Sequence, residues 1–342
     1  MAFPSRAFRL NLPERPVFYE SAACPANFEP AAGLAVSNIM YSFSTCWNSS
    51  RHSDGRDLLR EIRDLGFEYA ELSHGTRLVL VPGILDAVKA GEIKISSLHN
   101  FCPLPMGVEH SAPNLYQFTS DRARDRELAI KHTFKTFDFA QRVKAPLVVL
   151  HLGSMDLKNY GDKLGGLLED GLRDTPRYEK LLAEAMQKRE EKKKPFVERL
   201  YECLKIIVPE AEKRGLLLGC ECREGIEEIP LEADFAALFQ AFPSPAVRYW
   251  HDTGHAQVKE NLGFIRHATH LASLADRLAG FHIHDVQFPL RDHCPPGGGM
   301  IDYAALKPHV KPEHIKVFEL SPSLPVEAVR AGIAHLKGIW GE

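Results

Sequence analysis

The amino-acid sequence predicts an α/β protein, a single (β/α)8 TIM barrel, and three observations carry that prediction. Short apolar runs alternate with longer amphipathic stretches along the chain. Eight such runs occur over about 300 residues, the number that a (β/α)8 barrel requires and more than a doubly wound open sheet needs. No GxGxxG turn follows the first run, as a dinucleotide-binding open sheet would have.

The eight predicted strands are short runs rich in aliphatic and aromatic residues. They cover residues 34–43, 67–73, 93–100, 146–154, 216–222, 247–254, 280–286 and 314–321. Helical patterns separate most of them, and the clearest cover residues 55–66, 121–145, 195–215 and 326–340. In a TIM barrel the active site lies at the carboxyl ends of the strands.

Two segments fall outside this alternation. Residues 1–33 contain five prolines and are predicted to form an irregular N-terminal arm, which leaves residues 34–342 for the barrel domain. Residues 155–195, after the fourth run, are longer than a usual βα loop and are predicted to be an extended loop or helix insertion. Their charge run, KREEKKKP, is more typical of a solvated helix than of a binding patch. This insertion is placed to act as a lid or an oligomer contact.

Composition narrows the class of protein. The 342 residues include 42 Lys and Arg and 45 Asp and Glu, so the net charge of −3 gives no global attraction to nucleic acid or to an anionic membrane. No apolar run resembles a signal peptide or a membrane span. The seven cysteines are an odd number without a CxxC pair, which favours a reducing compartment. We therefore expect a cytoplasmic protein.

Polar residues lie at the carboxyl ends of six predicted strands. From the third run to the eighth they are His99, His151, Glu221 with Arg223, Asp252 with His255, His282 with His284 and Asp285, and Glu319. These are the positions at which a TIM barrel places its active-site residues.

Side-chain alternation predicts which of these residues point into the barrel. In residues 216–222 the leucines and cysteines at even positions form an apolar face expected against the helices, which directs Glu221 inward above Gly219. The same alternation directs His151 and Glu319 inward. It does not separate His282 from His284.

Such a cluster of buried acids requires a compensating positive charge. Arg223 is the chief cation at the strand ends. A single strand-end His or Glu is commonly only a satisfied polar group, but Glu, Asp, His and Glu on four consecutive strands favour one divalent metal ion. A set dominated by oxygen ligands suits Mn, Mg, Co or Fe, with Zn also open.

Five phrases extend this interpretation. ECREG, HDTGHA, FHIHD, DHCPPGGGMID and FELSPS, in that order and spacing, resemble the xylose isomerase-like TIM-barrel superfamily over roughly residues 34–338. Its members include sugar isomerases, ketose 3-epimerases, inosose dehydratase-type lyases and AP endonucleases with three zinc ions. The phrases are specific for the superfamily rather than for one activity.

The resemblance implies a ligand set and an acid–base pair. It assigns the metal to Glu221, Asp252, His282 and Glu319, and proton transfer beside a sugar carbonyl to Glu221 and Glu319. The family's seventh-strand ligand is the His three residues before an Asp, which selects His282 and makes Asp285 its expected hydrogen-bond partner.

The resemblance also implies a sugar-binding set and a mouth loop. Its substrate contacts fall on His99, His151, Arg223, His255 and His293, with Asp292 supporting His293 in a loop that closes over the ligand. Glu227 fits the further Glu that ketose epimerases carry, whereas Phe288 stands where those enzymes have Arg.

The main expectation is a metal-dependent sugar isomerase or epimerase, and three alternatives stay open. A lyase that dehydrates a polyol or ketose would use the same metal and base. An AP endonuclease-like phosphodiesterase with a multinuclear zinc site would use His99 and His151 as further ligands, although the net charge disfavours a nucleic-acid partner. A non-catalytic carbohydrate sensor would keep the pocket. A homo-oligomer is compatible with the sequence.

Overall fold

The computed structural model describes residues 40–341, so the predicted N-terminal arm lies outside the described residues. The barrel strands are β1 Tyr41–Ser44, β2 Tyr69–Leu72, β3 Lys94–His99, β4 Leu147–Leu150, β5 Leu217–Glu221, β6 Val247–Asp252, β7 Leu278–Ile283 and β10 Ile315–Phe318. These eight parallel strands close into a barrel in the order β1-β10-β7-β6-β5-β4-β3-β2, which confirms the predicted fold.

Helices surround the barrel. They are α1 Gly55–Asp64, α2 Val81–Lys89, α3 Ala123–Val143, α4 Tyr160–Glu169, α5 Pro176–Lys192, α6 Lys194–Lys213, α7 Phe235–Ala241, α8 Thr253–Asn261, α9 His267–Leu274, α10 Tyr303–Leu306 and α11 Val326–Trp340. In the described part of the chain, none has the length and apolarity needed to cross a membrane.

Helix α1 illustrates how local sequence forms the outer layer. The Asp54 side chain accepts hydrogen bonds from the first backbone N–H groups of the helix, which satisfies donors that a helix start leaves free. Its buried face is formed by Leu58, Leu59 and Ile62, at helical spacing. The remaining positions are largely polar and face solvent.

The insertion after β4 is helical, as expected, and consists of α4 and α5. Its charge run is not simply a solvated face, however. Arg189 is fully buried and donates to Asp234 at 2.6 Å and to the backbone oxygen of Ile226 at 2.9 Å. Lys193 contacts the same carboxylate at 2.8 Å. The run therefore anchors α5 to the segment after β5.

The interior of the barrel is filled below its polar mouth. Trp250 points inward from β6, and a Cβ atom at Gly219 would lie 3.2 Å from its ring. Other apolar residues complete this floor, namely Met40, Leu147, Val149, Ile315 and Val317. The Trp250 ring lies edge-on to His282, with 5.2 Å between ring centroids. This packed layer supports the polar residues from beneath.

A two-stranded antiparallel sheet was not predicted from the sequence. It consists of β8 Asp285–Gln287 and β9 Arg291–Cys294, directly after β7. The buried Asp285 carboxylate accepts the backbone N–H groups of Gly297, Gly299 and Ile301 at 2.9, 3.1 and 3.0 Å. A Cβ at Gly299 would lie 2.4 Å from that carboxylate, so glycine allows the close approach. Asp285 therefore fixes the glycine-rich segment beside the mouth.

Candidate metal centre and active site

The predicted ligand set lies at adjoining positions of the barrel mouth. Glu221, Asp252 and His282 are at the carboxyl ends of β5, β6 and β7, and Glu319 directly follows β10. Each of the four is at most 4% exposed. One possible ligand atom from each of them lies within 4.8 Å of those from the others.

His282 provides the most informative contacts of this set. Its Nδ1 lies 2.9 Å from Glu319 Oε2, 3.3 Å from Glu221 Oε1 and 3.8 Å from Asp252 Oδ2. Its Nε2 lies 3.1 Å from both carboxylate oxygens of Glu71. If Nε2–H donates to Glu71, the Nδ1 lone pair faces three carboxylates. That arrangement is stable only with a proton or a cation among them.

Charge near His282 favours such a positive species. Burial lowers the pKa of His282, but the carboxylates of Glu319, Glu71 and Glu221 outweigh burial and raise its pKa well above the usual value. Burial in turn raises the pKa of Glu319, and the neighbouring His282 reverses this and holds it well below normal. Three carboxylates and one imidazole, buried and convergent, fit a divalent cation that prefers oxygen ligands.

Glu71 is a functional candidate that sequence reasoning missed. It lies near the end of β2, is fully buried, and accepts a hydrogen bond from the Ser97 hydroxyl at 2.8 Å. It occupies the place behind His282 that the resemblance assigned to Asp285, whose carboxylate instead binds backbone N–H groups. The signal was present, because alternation in residues 67–73 directs Tyr69 and Glu71 away from the apolar Ala70.

His99 and His151 face the opposite oxygen of Glu221. Their Nδ1 atoms lie 3.0 Å from the backbone oxygen of Asn100 and 3.1 Å from Asn114 Oδ1, so each Nδ1–H has an acceptor. Their Nε2 atoms lie 3.2 and 2.9 Å from Glu221 Oε2. Among the described residues, His151 Nε2 has no partner in hydrogen-bonding geometry. Both lone pairs are thus directed at a carboxylate and are open to a donor or a cation.

Burial disfavours the charged form of two histidines on this side of the mouth, His151 and His74. Burial and the nearby Arg223 lower the pKa of His151 to about 4. His74, which the sequence did not single out, packs edge-on against His99 with 4.6 Å between ring centroids. Its ring nitrogen is hydrogen-bonded to the Ser111 hydroxyl, and burial lowers its pKa well below the usual value. Neutral imidazoles of this kind can accept hydrogen bonds from hydroxyl groups.

Arg223 is held in place by ion pairs. Its Nε donates to Glu228 Oε1 at 3.1 Å, and its Nη1 lies 3.5 Å from Glu221 Oε1. Burial raises the pKa of Glu228, but Arg223 reverses this and lowers it. Glu228 therefore pairs with Arg223, whereas the sequence drew attention to Glu227, whose backbone oxygen binds the N–H of Met155 at 2.8 Å.

The DTGHA segment connects β6 to α8. Asp252 caps the helix by accepting the backbone N–H of His255 at 2.8 Å. The His255 ring lies 3.1 Å from the same carboxylate, and this contact raises its pKa to about 9 although burial lowers it. Strand β9 adds His293, whose Nδ1 lies 2.9 Å from the backbone oxygen of Glu319, and Asp292, 3.8 Å from the His293 ring. These two residues form the outer edge of the site.

Comparisons with known proteins agree with this architecture. A family model described as xylose isomerase-like TIM barrel matches residues 59–339. Similar solved structures include a 3-keto-D-glucoside 4-epimerase from E. coli in its apo form, at 14% identity, with a TM-score of 0.61 and coverage of 88% of this chain and 99% of that one.

Two further structures were solved with a sugar. One is a D-allulose 3-epimerase from Methylomonas sp. in complex with D-allulose (14% identity, TM-score 0.58, coverage 89% and 90%). The other is a D-psicose 3-epimerase in the presence of D-fructose (12% identity, TM-score 0.60, coverage 89% and 100%). At these identities the likeness shows the fold alone. No curated protein matches the chain.

Proposed function

The chain belongs to the xylose isomerase-like TIM-barrel family, and from that premise we propose that it is a divalent-metal-dependent sugar isomerase or epimerase. The observation that carries the proposal is the position of His282 Nδ1, which faces the carboxylates of Glu221, Asp252 and Glu319 at 2.9–3.8 Å. Two kinds of observation support the proposal: the family match and the geometry of these four side chains.

In this proposal Glu221, Asp252, His282 and Glu319 hold one divalent ion. Bound there, the ion supplies Lewis-acid polarisation of a sugar carbonyl and its neighbouring hydroxyl, which makes the adjacent C–H more acidic. Glu71 keeps the His282 ring oriented with Nδ1 toward the site. Manganese, magnesium, cobalt, iron and zinc are all compatible with this set of ligand atoms.

Proton transfer falls to two carboxylates. Burial raises the pKa of Glu221, but His151, His282 and Arg223 outweigh it and hold the pKa well below normal. Burial likewise raises the pKa of Glu319, and His282, His293 and His99 outweigh it, so Glu319 is also ionised. One ionised carboxylate takes the proton from the carbon beside the carbonyl. The other, protonated by solvent before it acts, returns a proton to the sugar, and the first releases its proton to solvent, so the number of protons on the sugar is unchanged.

Sugar binding is assigned to the surrounding polar groups. The Nε2 lone pairs of His99 and His151 can accept hydrogen bonds from sugar hydroxyls, and Arg223 can donate to a sugar oxygen. His255 and His293 complete the set at the outer edge. The sugars present in the two similar epimerase structures support a ligand of this class.

One observation favours a second candidate function. The approach of His99 Nε2 and His151 Nε2 to a single oxygen of Glu221 would also suit a second cation, as a hydrolase with a multinuclear zinc site would need. A lyase acting on a ketose or polyol would use the single-ion site without change. The net charge of −3 argues against a nucleic-acid substrate.

The test combines metal analysis with a substrate panel. Purified full-length protein is analysed for bound metal and then incubated in heavy water with ketoses, aldoses, inososes and 3-keto sugars, with products read by NMR and mass spectrometry. We expect one ion per chain and deuterium at the carbon beside a carbonyl. Loss of water would replace the proposal by the lyase, and three zinc ions with DNA cleavage would replace it by the hydrolase.

A further inference from the structure

We propose that His284 is a positioning residue that joins the mouth hairpin β8–β9 to the metal ligand Asp252. Its two ring nitrogens bind one partner each, and neither is left for substrate. The proposal rests on the metal site proposed above. It adds that the His284 ring couples the conformational order of the hairpin to the position of the Asp252 carboxylate.

The hydrogen bonds of His284 fix its tautomer. Its Nδ1 accepts the backbone N–H of His293 at 2.9 Å, so the ring proton is on Nε2. Nε2 lies 2.9 Å from Asp252 Oδ1 and 3.1 Å from Oδ2, and it donates to that carboxylate. Nδ1 therefore binds the hairpin backbone, and Nε2 binds the metal-ligand residue Asp252.

The His284 ring is closely packed. A Cβ at Gly254 would lie 2.0 Å from His284 Cε1, so the ring occupies the space where a side chain at 254 would begin. The His293 ring stacks on the His284 ring with 4.1 Å between centroids and an interplanar angle of 13°. The Thr253 hydroxyl donates to the backbone oxygen of His284 at 2.8 Å. The Gly of DTGHA is thus explained by the second His of FHIHD.

The hairpin reaches a second ligand as well. His293 Nδ1 lies 2.9 Å from the backbone oxygen of Glu319, so the residue whose N–H is held by His284 also contacts the strand of another carboxylate. His293 has a positive φ of 50°, a conformation that needs support from its surroundings. His284 supplies that support. A bound ion that restrains Asp252 should therefore also reduce the motion of the backbone at residue 293.

Two amide variants separate the roles of the two ring nitrogens. His284→Asn keeps an acceptor near the Nδ1 position for the hairpin N–H and loses the bond to Asp252. His284→Gln keeps a donor near the Nε2 position and loses the bond to the hairpin. His284→Ala removes both bonds. His267→Asn, at a buried histidine of α9 outside the mouth, is the matched control.

The experiment measures Mn²⁺ affinity by calorimetry and hydrogen exchange of the residue 293 amide with and without Mn²⁺, on the full chain. We expect affinity to fall about tenfold in His284→Asn and His284→Ala and to change little in His284→Gln. Mn²⁺ should slow exchange at residue 293 in the wild type and the control, but not in His284→Gln or His284→Ala. Thermal unfolding in EDTA checks that each variant is folded.

The outcomes distinguish the two proposals. Wild-type protein that binds neither Mn²⁺ nor Mg²⁺, Co²⁺, Fe²⁺ or Zn²⁺ would overturn both the metal site and the role of His284. The role of His284 alone would be overturned by a different result. In that case the wild type binds Mn²⁺, His284→Asn binds it with the same affinity, and Mn²⁺ does not change the exchange rate of the residue 293 amide. An affinity loss in His267→Asn as large as in His284→Asn would also overturn that role, because the effect would then be one of general stability.

Discussion

Two clusters of buried polar residues meet opposite faces of strand β6, and the two clusters differ in charge. On the outer face, His251 Nε2 lies 2.9 Å from His267 Nε2, and the Tyr249 hydroxyl contacts His251 and His270 at 2.7 and 2.9 Å. On the inner face, the next residue, Asp252, joins the carboxylates of the mouth. The two clusters are neighbours along the chain and point in opposite directions.

The histidines of the outer cluster are neutral. Burial lowers the pKa of His251 well below normal, and burial together with Lys259 lowers the pKa of His267 to about 3 and of His270 to about 2. These rings are neutral and bind one another, Tyr249 and a glutamine. In the mouth, by contrast, neighbouring carboxylates raise the pKa of the histidines closest to Asp252. The two clusters differ in two ways that identify the functional site. In the mouth, carboxylates outnumber fixed cations, and lone pairs of histidine nitrogens face those carboxylates. The number of histidines does not distinguish the clusters.

The largest expected effect tests whether the mouth performs chemistry. Glu221→Gln should reduce deuterium incorporation into the sugar identified in the panel by about 10³-fold, because the amide cannot take a proton. Turnover is measured at Mn²⁺ concentrations that fill both proteins. The control is His267→Asn in the outer cluster, which should keep most of the activity. A Glu221→Gln variant as active as the wild type would remove Glu221 from proton transfer.

The next effect separates the clusters by their response to metal. Mn²⁺ at about 100 times its dissociation constant should raise the free energy of unfolding by about 2.7 kcal/mol, because only the folded chain forms the site. His267→Asn should gain the same amount, whereas Asp252→Asn should gain much less. Thermal or urea unfolding with and without Mn²⁺ measures the gain. Equal gains in Asp252→Asn and the wild type would place the ion elsewhere.

A smaller effect is expected from the residue behind the ligand. Glu71→Gln should weaken Mn²⁺ binding about tenfold, because the amide still accepts from His282 Nε2 but no longer adds negative charge behind the imidazole. Ser97→Ala removes the second partner of Glu71 and should weaken binding less. Calorimetric titration of both variants gives the order. The same affinity in Glu71→Gln as in the wild type would reduce Glu71 to a structural residue.

The smallest expected effect is on the pH dependence of stability, and it comes from a histidine of the outer cluster. The pKa of His267 is about 3 in the folded chain, against about 6.5 in an unfolded one, so between these values only the unfolded chain binds the proton. Stability is therefore lost as pH falls below about 6.5. His267→Asn should reduce the loss between pH 7.5 and 5.5 by about 1 kcal/mol. Urea unfolding at both pH values measures it, and an unchanged pH dependence would contradict a neutral buried His267.

Much of the fold could be predicted because barrel strands and their helices repeat a simple pattern. Strand β6 ends at Asp252 and helix α11 covers Val326–Trp340, both close to the expected bounds. The hairpin β8–β9 could not be predicted, since its residues lack the alternating apolar pattern and depend on Asp285 binding distant N–H groups. The buried Arg189 was missed for a related reason, because its partners lie after another strand.

The candidate site was predictable where strand ends and alternation agree. Glu221 and Glu319 follow from both rules. Glu71 satisfies the same alternation and was overlooked because none of the five sequence motifs that carry the family resemblance covers its strand. His282 and His284 share a parity, so alternation alone could not separate them. The resemblance selected His282, and in the structure β7 ends at Ile283, which places His282 in the strand and His284 after it. That distinction depends on backbone hydrogen bonds, which alternation does not encode.

The floor of the barrel has a practical consequence for those who study this protein. The chain contains three tryptophans, and Trp250 is the one whose ring lies 5.2 Å from His282. The indoles of Trp47 and Trp340 donate to backbone oxygens in other parts of the barrel wall. Indole emission is quenched by a nearby imidazolium or by a paramagnetic ion, so intrinsic fluorescence should provide an optical signal of whether the centre is filled, without any added label.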